Sequence, residues 1–96
     1  MAIEKTGGCQ CGAVRYGVSL ANEEAYLCHC SMCQKATGGF AASLFNLPQS
    51  EMTWESGPDW FQSSPIAKRP FCKECGSPLG FQFLEGPNCD ITVGSL

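Results

Sequence analysis

Short apolar and β-branched runs of three to eight residues alternate with turn signals along the whole chain. Runs of this length that are bounded by Gly, Pro, Asn or Asp are typical of strands rather than helices. The pattern therefore predicts a mainly β, antiparallel fold. The predicted strands cover residues 13–18, 25–28, 40–47, 52–55, 60–62, 79–84 and 90–93.

One short helix is expected between the second and third predicted strands. Ser31 followed by Gln34 has the form of a capping box, and Gly38-Gly39 supplies a stop signal. The prediction is a helix of about one and a half turns over residues 32–37. No repeat, low-complexity tract or long linker divides the chain, so residues 1–96 are expected to form a single domain.

The composition suggests that the fold needs an additional cross-link. A chain of 96 residues buries only about two-thirds of the surface that it exposes when unfolded. Six prolines and eleven glycines imply short elements joined by many turns. Eight cysteines in such a small chain point to disulfides or to a structural metal.

The expected compartment favours the metal. Residues 1–9 lack the apolar run of a secretory signal, and no apolar stretch reaches the 18 residues of a membrane span. We therefore expect a cytoplasmic protein with no membrane partner, in which paired cysteines are metal ligands or catalytic groups. The alternative is a secreted protein whose signal has been removed.

The charge argues against a nucleic-acid partner. The net charge is −3, and the one basic cluster is the pair Lys68-Arg69. Too few cations are present for a phosphate-binding face. A nucleic-acid-binding zinc finger is the alternative, and it would need a local basic patch on the folded surface.

The cysteine spacing predicts zinc. The cysteines fall as Cys9-x-Cys11, Cys28-x-Cys30-x-x-Cys33 and Cys72-x-x-Cys75, with Cys89 alone. A disulfide between residues two apart is strained, whereas tetrahedral zinc, with bonds of about 2.3 Å to sulfur, accepts two thiolates from each of two tight turns. The glycines that follow Cys11 and Cys75 permit a positive φ in such turns. A thioredoxin-like redox pair is the alternative, but it requires a βαβ context that the pattern lacks.

Counting ligands separates two sites. Two cysteine pairs make one closed four-sulfur site, and three clustered cysteines remain for a second site with an open fourth position. Cys33 would lie in the first turn of the helix, where a thiolate is stabilised. Three thiolates on Zn²⁺ carry a net −1 charge, which favours capture of another thiolate over activation of water. Alternatively, Cys89 closes the second site, although a lone cysteine is more often a small core residue.

Three ordered motifs resemble a known family. The segments 8–16 (GCQCGAVRY), 28–35 (CHCSMCQK) and 71–79 (FCKECGSPL) are similar to the glutathione-dependent formaldehyde-activating family, which includes centromere protein V. The resemblance implies a β-tent fold with two Zn²⁺ per chain. It also implies a carbon–sulfur lyase that joins formaldehyde to glutathione as S-hydroxymethylglutathione. By motif, the structural zinc is held by Cys9, Cys11, Cys72 and Cys75, and the catalytic zinc by Cys28, Cys30 and Cys33.

One departure from the family pattern bears on the substrate. Family chains usually continue past the position of residues 93–96 with an acidic, proline-containing tail, and this sequence stops there. A wall of the substrate pocket is therefore expected to be absent. The alternative function is a non-catalytic zinc protein that binds a small, glutathione-like thiol or serves as an interaction module.

Several other residues have both a functional and a purely structural interpretation. A glutathione carboxylate could meet Lys35, Arg69 or Arg15, although exposed cations are more often simply solvated. His29 could shuttle protons near neutral pH. In an extended segment, however, its side chain would point away from those of the two neighbouring cysteines, which favours a surface position or a contact with the ligands from outside the metal site. Five aromatic residues could line a pocket, but at strand spacing they are more often core: Trp54, Trp60, Phe61, Phe81 and Phe83.

Overall fold

The computed structural model describes residues 2–96 and confirms a mainly β, antiparallel fold with one helix. The strands before and around the helix are β1 (Ile3–Gly8), β2 (Arg15–Leu20), β3 (Tyr26–Cys28), β4 (Ala42–Pro48) and β5 (Met52–Ser56), with helix α1 at Ser31–Thr37. The later strands are β6 (Asp59–Ser64), β7 (Ala67–Phe71), β8 (Gly80–Phe83) and β9 (Asn88–Thr92). Two single 3-10 turns occupy Gln49–Glu51 and Val93–Ser95.

The first sheet has three strands in the order β1-β2-β5. β1 and β2 form an antiparallel hairpin whose register runs from Ile3 opposite Leu20 to Gly8 opposite Arg15. In β2 every second residue is buried, namely Tyr16, Val18 and Leu20. This period of two gives the small sheet one apolar face.

The second sheet has six strands in the order β3-β4-β9-β8-β7-β6. Phe45 and Leu47 of β4 and Ile91 of β9 pack with the apolar face of the small sheet and form the main core. Ala42 and Leu44, which alternate with them along β4, pack instead against Cys33 of α1. Because side chains alternate across a sheet, α1 and its cysteine lie on the face opposite the main core.

Two strands depart from the predictions. β1 was not predicted because its sequence, IEKTGG, contains a single apolar residue and two glycines. β7 was not predicted because it carries two basic residues and Pro70, which normally argues against an inner strand. The regular pairing of β7 with β8 covers only Ala67 and Lys68, so Pro70 lies beyond the ladder on that side, although it is still paired with Trp60 of β6. The other seven strands correspond to the seven predicted ones, with ends that differ by at most two residues.

The helix begins one residue earlier than predicted, and its cap is different. Cys30, not Ser31, is the N-cap, and its sulfur accepts a hydrogen bond from the backbone N–H of Cys33. Gln34 does not complete a capping box, since its amide donates to the carbonyl of Phe40. The predicted stop is confirmed: Gly38 adopts φ 73°, and its N–H donates to the carbonyl of Gln34.

Candidate metal centres

The first cysteine group joins one loop from each sheet. Cys9 and Cys11 lie in the turn between β1 and β2, and Cys72 and Cys75 lie in the turn after β7. In each turn the N–H of the first cysteine donates to a carbonyl five residues later, Cys9 to Val14 and Cys72 to Ser77. The two turns therefore share one backbone hydrogen bond although their sequences differ. Each turn directs its two thiols toward those of the other turn.

Four sulfur atoms meet at this junction with the dimensions of a tetrahedral zinc site. All four Sγ atoms, those of Cys9, Cys11, Cys72 and Cys75, lie within 4.8 Å of one another. The Cys11 sulfur is 3.6 Å from that of Cys9 and 3.7 Å from that of Cys72. A zinc ion with bonds of about 2.3 Å requires sulfurs about 3.8 Å apart. The donor set and its spacing fit a closed site, which Gly12 and Gly76 permit by adopting φ 88° and 80°.

Hydrogen bonds from outside the group hold its sulfurs. The N–H of Val14 donates to the Cys9 sulfur at 3.2 Å. The hydroxyl of Ser77 lies 3.2 Å from the Cys75 sulfur and accepts from the backbone N–H of Gln10 at 3.1 Å. Ser77 thus connects both turns, and its side chain and backbone lower the pKa of Cys75 to about 5. The thiolate form that a metal requires is favoured at this position.

The second group contains three cysteines that lie close together in sequence. Cys28 ends β3, Cys30 caps α1 and Cys33 occupies its first turn. Their sulfurs also lie within 4.8 Å of one another, and exposure decreases from Cys30, which is exposed, to Cys33, which is buried. No fourth His, Cys, Asp or Glu joins this group among residues 2–96. Three thiolates with an approach from the Cys30 side fit a zinc site with an open position.

The three thiols differ in acidity because their surroundings differ. The backbone N–H of Cys33, and then the Cys33 and Cys28 side chains, lower the pKa of Cys30 to about 7. Burial raises the pKa of Cys33 to about 11, although a neighbouring guanidinium opposes this change. That guanidinium belongs to Arg69 of β7, whose Nη2 donates to the Cys33 sulfur at 3.4 Å. A buried cation therefore lies directly behind the three sulfurs.

The sequence comparisons agree with this pattern of cysteines. Residues 4–96 match the sequence profile of the family described as glutathione-dependent formaldehyde-activating enzyme. The chain belongs to this family. A Schizosaccharomyces pombe protein, named as an uncharacterized lyase, is 31% identical to it over 85 residues. The matched region covers 88% of this chain but only 62% of the yeast protein, so the chain spans less than two-thirds of that relative.

Within this family member, Cys89 lies apart from both cysteine groups. Its side chain is buried in the main core, where its sulfur lies 3.7 Å from the Met52 sulfur. Because Cys33 packs on the opposite face of the six-stranded sheet, the two cysteines point to different sides of β4 and β9. The structure thus places Cys89 as a core residue and not beside the open group.

The remaining candidates are distributed between core and surface. His29 is exposed and its ring centroid lies 5.9 Å from that of Phe40, so it contacts neither cysteine group. Lys35 and Arg15 are exposed, and Arg69 alone of the three suggested cations contacts a candidate ligand. Trp54 packs against two core clusters, whereas Phe61 is 62% exposed. The five aromatic residues therefore do not form one pocket.

Two cavities adjoin the helix. The larger, about 870 Å³, extends from Cys9 and Arg15 to Thr37 at the end of α1. The smaller, about 190 Å³, lies between α1 and the strands β4, β6 and β7. Four residues line both cavities: Thr37, Ala42, Pro78 and Thr92. Neither cavity is lined by Cys28, Cys30 or Cys33, but the smaller one is bordered by Arg69, which contacts the Cys33 sulfur.

Sequence reasoning missed two polar residues near these groups. Ser77 lies two positions after Cys75, where a hydroxyl can reach that sulfur. Asp90 is a buried carboxylate on β9 that accepts from the amide of Asn46 at 2.9 Å. The Asp90 carboxylate also contributes, after burial, to raising the pKa of Tyr26. No signal in the sequence distinguishes this aspartate from a surface residue.

Proposed function

We propose that the protein is a zinc-dependent carbon–sulfur lyase that acts on a small thiol such as glutathione and on its adduct with an aldehyde. Membership of the glutathione-dependent formaldehyde-activating family supports this reaction class, as does the lyase name of the yeast relative. The observation that carries the proposal is the group of Cys28, Cys30 and Cys33, which has no fourth protein ligand among residues 2–96.

The two cysteine groups have different proposed roles. Cys9, Cys11, Cys72 and Cys75 hold one zinc ion that joins the two sheets, and Cys28, Cys30 and Cys33 hold a second zinc ion with an accessible position. We take residues 1–96 as one zinc-binding domain that works in the reducing cytoplasm. Among residues 2–96, no helix has the length and apolar character required to span a bilayer.

Zinc at the open group would supply a Lewis-acidic position that favours the thiolate form of a bound thiol. The chain's own residues prepare that position. The backbone N–H of Cys33 holds the Cys30 sulfur, and Arg69 offsets part of the negative charge that three thiolates bring. The exposed side at Cys30 gives a thiol access, and the buried Cys33 lies on the side that faces Arg69.

Calorimetry with glutathione and S-methylglutathione tests thiol capture. We expect glutathione to release about one proton per molecule bound, which appears as a difference between two buffers of unequal ionisation enthalpy. S-methylglutathione cannot form a thiolate, so its affinity should be at least about tenfold lower. A Cys89→Ala variant is the matched control and should bind like the natural chain. Equal affinity for both ligands would contradict capture of the sulfur by Cys28, Cys30 and Cys33.

A turnover assay separates the enzyme from the binding alternative. The zinc-loaded protein is mixed with pairs of thiols and aldehydes, and formation and cleavage of the adduct are followed. We expect both rates to exceed the uncatalysed ones and to be lost in Cys30→Ser. Thiol binding with intact zinc and no acceleration would instead assign the protein to the non-catalytic class.

A further inference from the structure

Arg69 is a buried cation that has no ion-pair partner among residues 2–96. It is only 9% exposed, and its guanidinium stacks over the Phe81 ring at 4.8 Å. Its one side-chain hydrogen bond within residues 2–96 is the contact with the Cys33 sulfur. A guanidinium carries five N–H donors, so most of its donors remain available. Burying a charge is costly unless it is paired, which makes this position a candidate for binding an anion.

The carboxylate of Asp90 forms no ion pair with Arg69 in the described part of the chain. Asp90 lies on β9, one strand beyond Phe81, which is its register partner and over whose ring the Arg69 guanidinium stacks. The amide of Asn46 already donates to the Asp90 carboxylate. Within the described part of the chain, the sole ion pair joins Lys5 to Glu23 at 3.5 Å. The charge of Arg69 is therefore available to a group from outside the protein.

The donors of Arg69 border the smaller cavity. This cavity of about 190 Å³ is otherwise lined mainly by apolar groups, including those of Leu44, Phe61 and Pro78, and Arg69 is its single charged residue. Leu44 and Ala42 line the cavity and also pack against Cys33. The cavity is thus linked to the open cysteine group through Arg69, Ala42 and Leu44, which line the cavity and contact Cys33, whereas the three cysteines do not line it.

We propose that Arg69 and this cavity bind a carboxylate of the thiol substrate, carried a few bonds from its sulfur. The inference rests on the proposed function, because it assigns the substrate class of the same open site. A guanidinium fork matches a carboxylate with two parallel hydrogen bonds, and the low-polarity walls strengthen the contact. The position of Arg69 sets the distance between the carboxylate and the sulfur of the substrate. Because its Nη2 atom is 3.4 Å from the Cys33 sulfur, an anion bound to its remaining donors lies close to the cysteines.

The cavity also limits the size of that substrate group. At about 190 Å³ it is smaller than the pockets of about 300–1,000 Å³ that hold drug-sized ligands. A short mercaptocarboxylate fits this description better than a thiol whose carboxylates lie at the ends of a long peptide. Arg69 therefore determines specificity for an acidic thiol by direct contact with it.

The test compares two thiols of equal length on the zinc-loaded full chain. Calorimetry at low ionic strength measures the affinity of 3-mercaptopropionate and of 3-mercapto-1-propanol, which carries a hydroxyl in place of the carboxylate. We expect the acid to bind about tenfold more tightly, the effect of one charge-assisted hydrogen-bonded pair. In Arg69→Met the ratio of the two affinities should fall to about one. Arg69→Lys keeps the positive charge but lacks the paired donors of the guanidinium, so it should give an intermediate ratio. It replaces Arg69→Met as the test variant if Arg69→Met does not fold.

Lys68→Met is the matched control. It removes one positive charge from the neighbouring position of β7, where the Lys68 ammonium stacks over Trp60 at 4.2 Å instead of lining the cavity. Its affinity ratio should equal that of the natural chain.

Equal binding of both thiols to the natural chain would overturn the inference and leave the proposed function intact. If Arg69→Met lowered the affinity for both thiols equally, so that their ratio stayed the same, Arg69 would act only as a counter-charge to the cysteine thiolates. That result would also overturn the inference. Failure of both thiols to bind while glutathione still binds would overturn the inference alone, and failure of all three thiols would overturn the proposed function as well.

Discussion

The backbone N–H of Cys33 donates a hydrogen bond to the sulfur of Cys30, with the two atoms 3.3 Å apart. A candidate metal ligand therefore also caps helix α1. Since α1 has only seven residues, its first turn depends strongly on that cap. The Cys30 sulfur is therefore both a candidate metal ligand and the group that caps the helix.

Substitutions of Cys30 can separate these two roles. Serine is a preferred N-cap residue, so Cys30→Ser should lose the open metal and keep α1, whereas Cys30→Ala should lose both. We expect the Tm of Cys30→Ala to lie about 5 °C below that of Cys30→Ser, as the loss of one cap predicts for a chain of this size. Thermal denaturation with zinc analysis measures both effects. Identical Tm values would show that a capping side chain at residue 30 contributes nothing to stability.

The metal content should be two zinc ions per chain. Seven cysteines occupy two separate groups, and neither group can hold a second tetrahedral ion. Elemental analysis of reduced, purified protein gives the ratio, with Cys89→Ala as a control that should also retain two ions. A ratio of one in both proteins would leave the group of Cys28, Cys30 and Cys33 without a metal role.

The two groups should differ in their importance for stability. Cys75→Ser breaks a site that joins turns more than 60 residues apart in sequence, so the chain should be largely unfolded at 25 °C. Cys30→Ser affects a group confined to residues 28–33 and should leave the fold intact. Circular dichroism during thermal unfolding compares the two variants. If Cys30→Ser were the more damaging change, the proposed roles of the two groups would be reversed.

The Ser77 hydroxyl should protect the closed site from acid. It is the first cause of the lowered pKa of Cys75, which is about 5, so Cys75 stays a thiolate at mildly acidic pH. Ser77→Ala raises that pKa, and protons then compete with zinc at a higher pH. We expect the midpoint of acid-induced zinc release to move upward by about one pH unit, measured with a zinc-sensitive dye. Ser50→Ala, at an exposed serine without a side-chain hydrogen bond, should not move it.

Cys89 should make the fold less stable in alkali. Burial, and then the Asp90 carboxylate, raise the pKa of Cys89 to about 11. In the unfolded chain this thiol ionises near pH 8.5, so between about pH 9 and 11 the unfolded state binds fewer protons and the free energy of unfolding falls. Cys89→Ala should flatten that part of the pH profile, although Tyr16, whose pKa burial also raises, keeps some of the slope. An unchanged profile would place Cys89 in contact with solvent.

Cysteine spacing predicted more of this molecule than apolar pattern did. The pairing of Cys9 and Cys11 with Cys72 and Cys75 follows from ligand number and turn geometry, which are local properties of the sequence. β7 could not be predicted, because Lys68, Arg69 and Pro70 lack the apolar pattern of an inner strand. The reason for this composition is visible only in three dimensions: Arg69 points toward Cys33, and β8 pairs with only part of the strand.

The same distinction applies to the site. The open group could be predicted because its three cysteines lie within six residues of one another. The cation behind it could not be assigned, because 36 residues separate Arg69 from Cys33 and three similar cations were available. The role of Cys89 was likewise open in the sequence, and it depends on which face of β9 points to the main core.

Strand β3 has a consequence for the solubility of the protein. It has only three residues, lies at the edge of the six-stranded sheet, and exposes Leu27. Unpaired edges of this kind are templates for pairing with other molecules and for aggregation. Because β3 ends on Cys28, an ion bound with Cys30 and Cys33 would tie this edge strand to α1, which packs on β4. Loss of the ion from the open group should therefore release β3 and uncover the edge of β4 while the rest of the fold stays intact, so that the folded protein becomes less soluble.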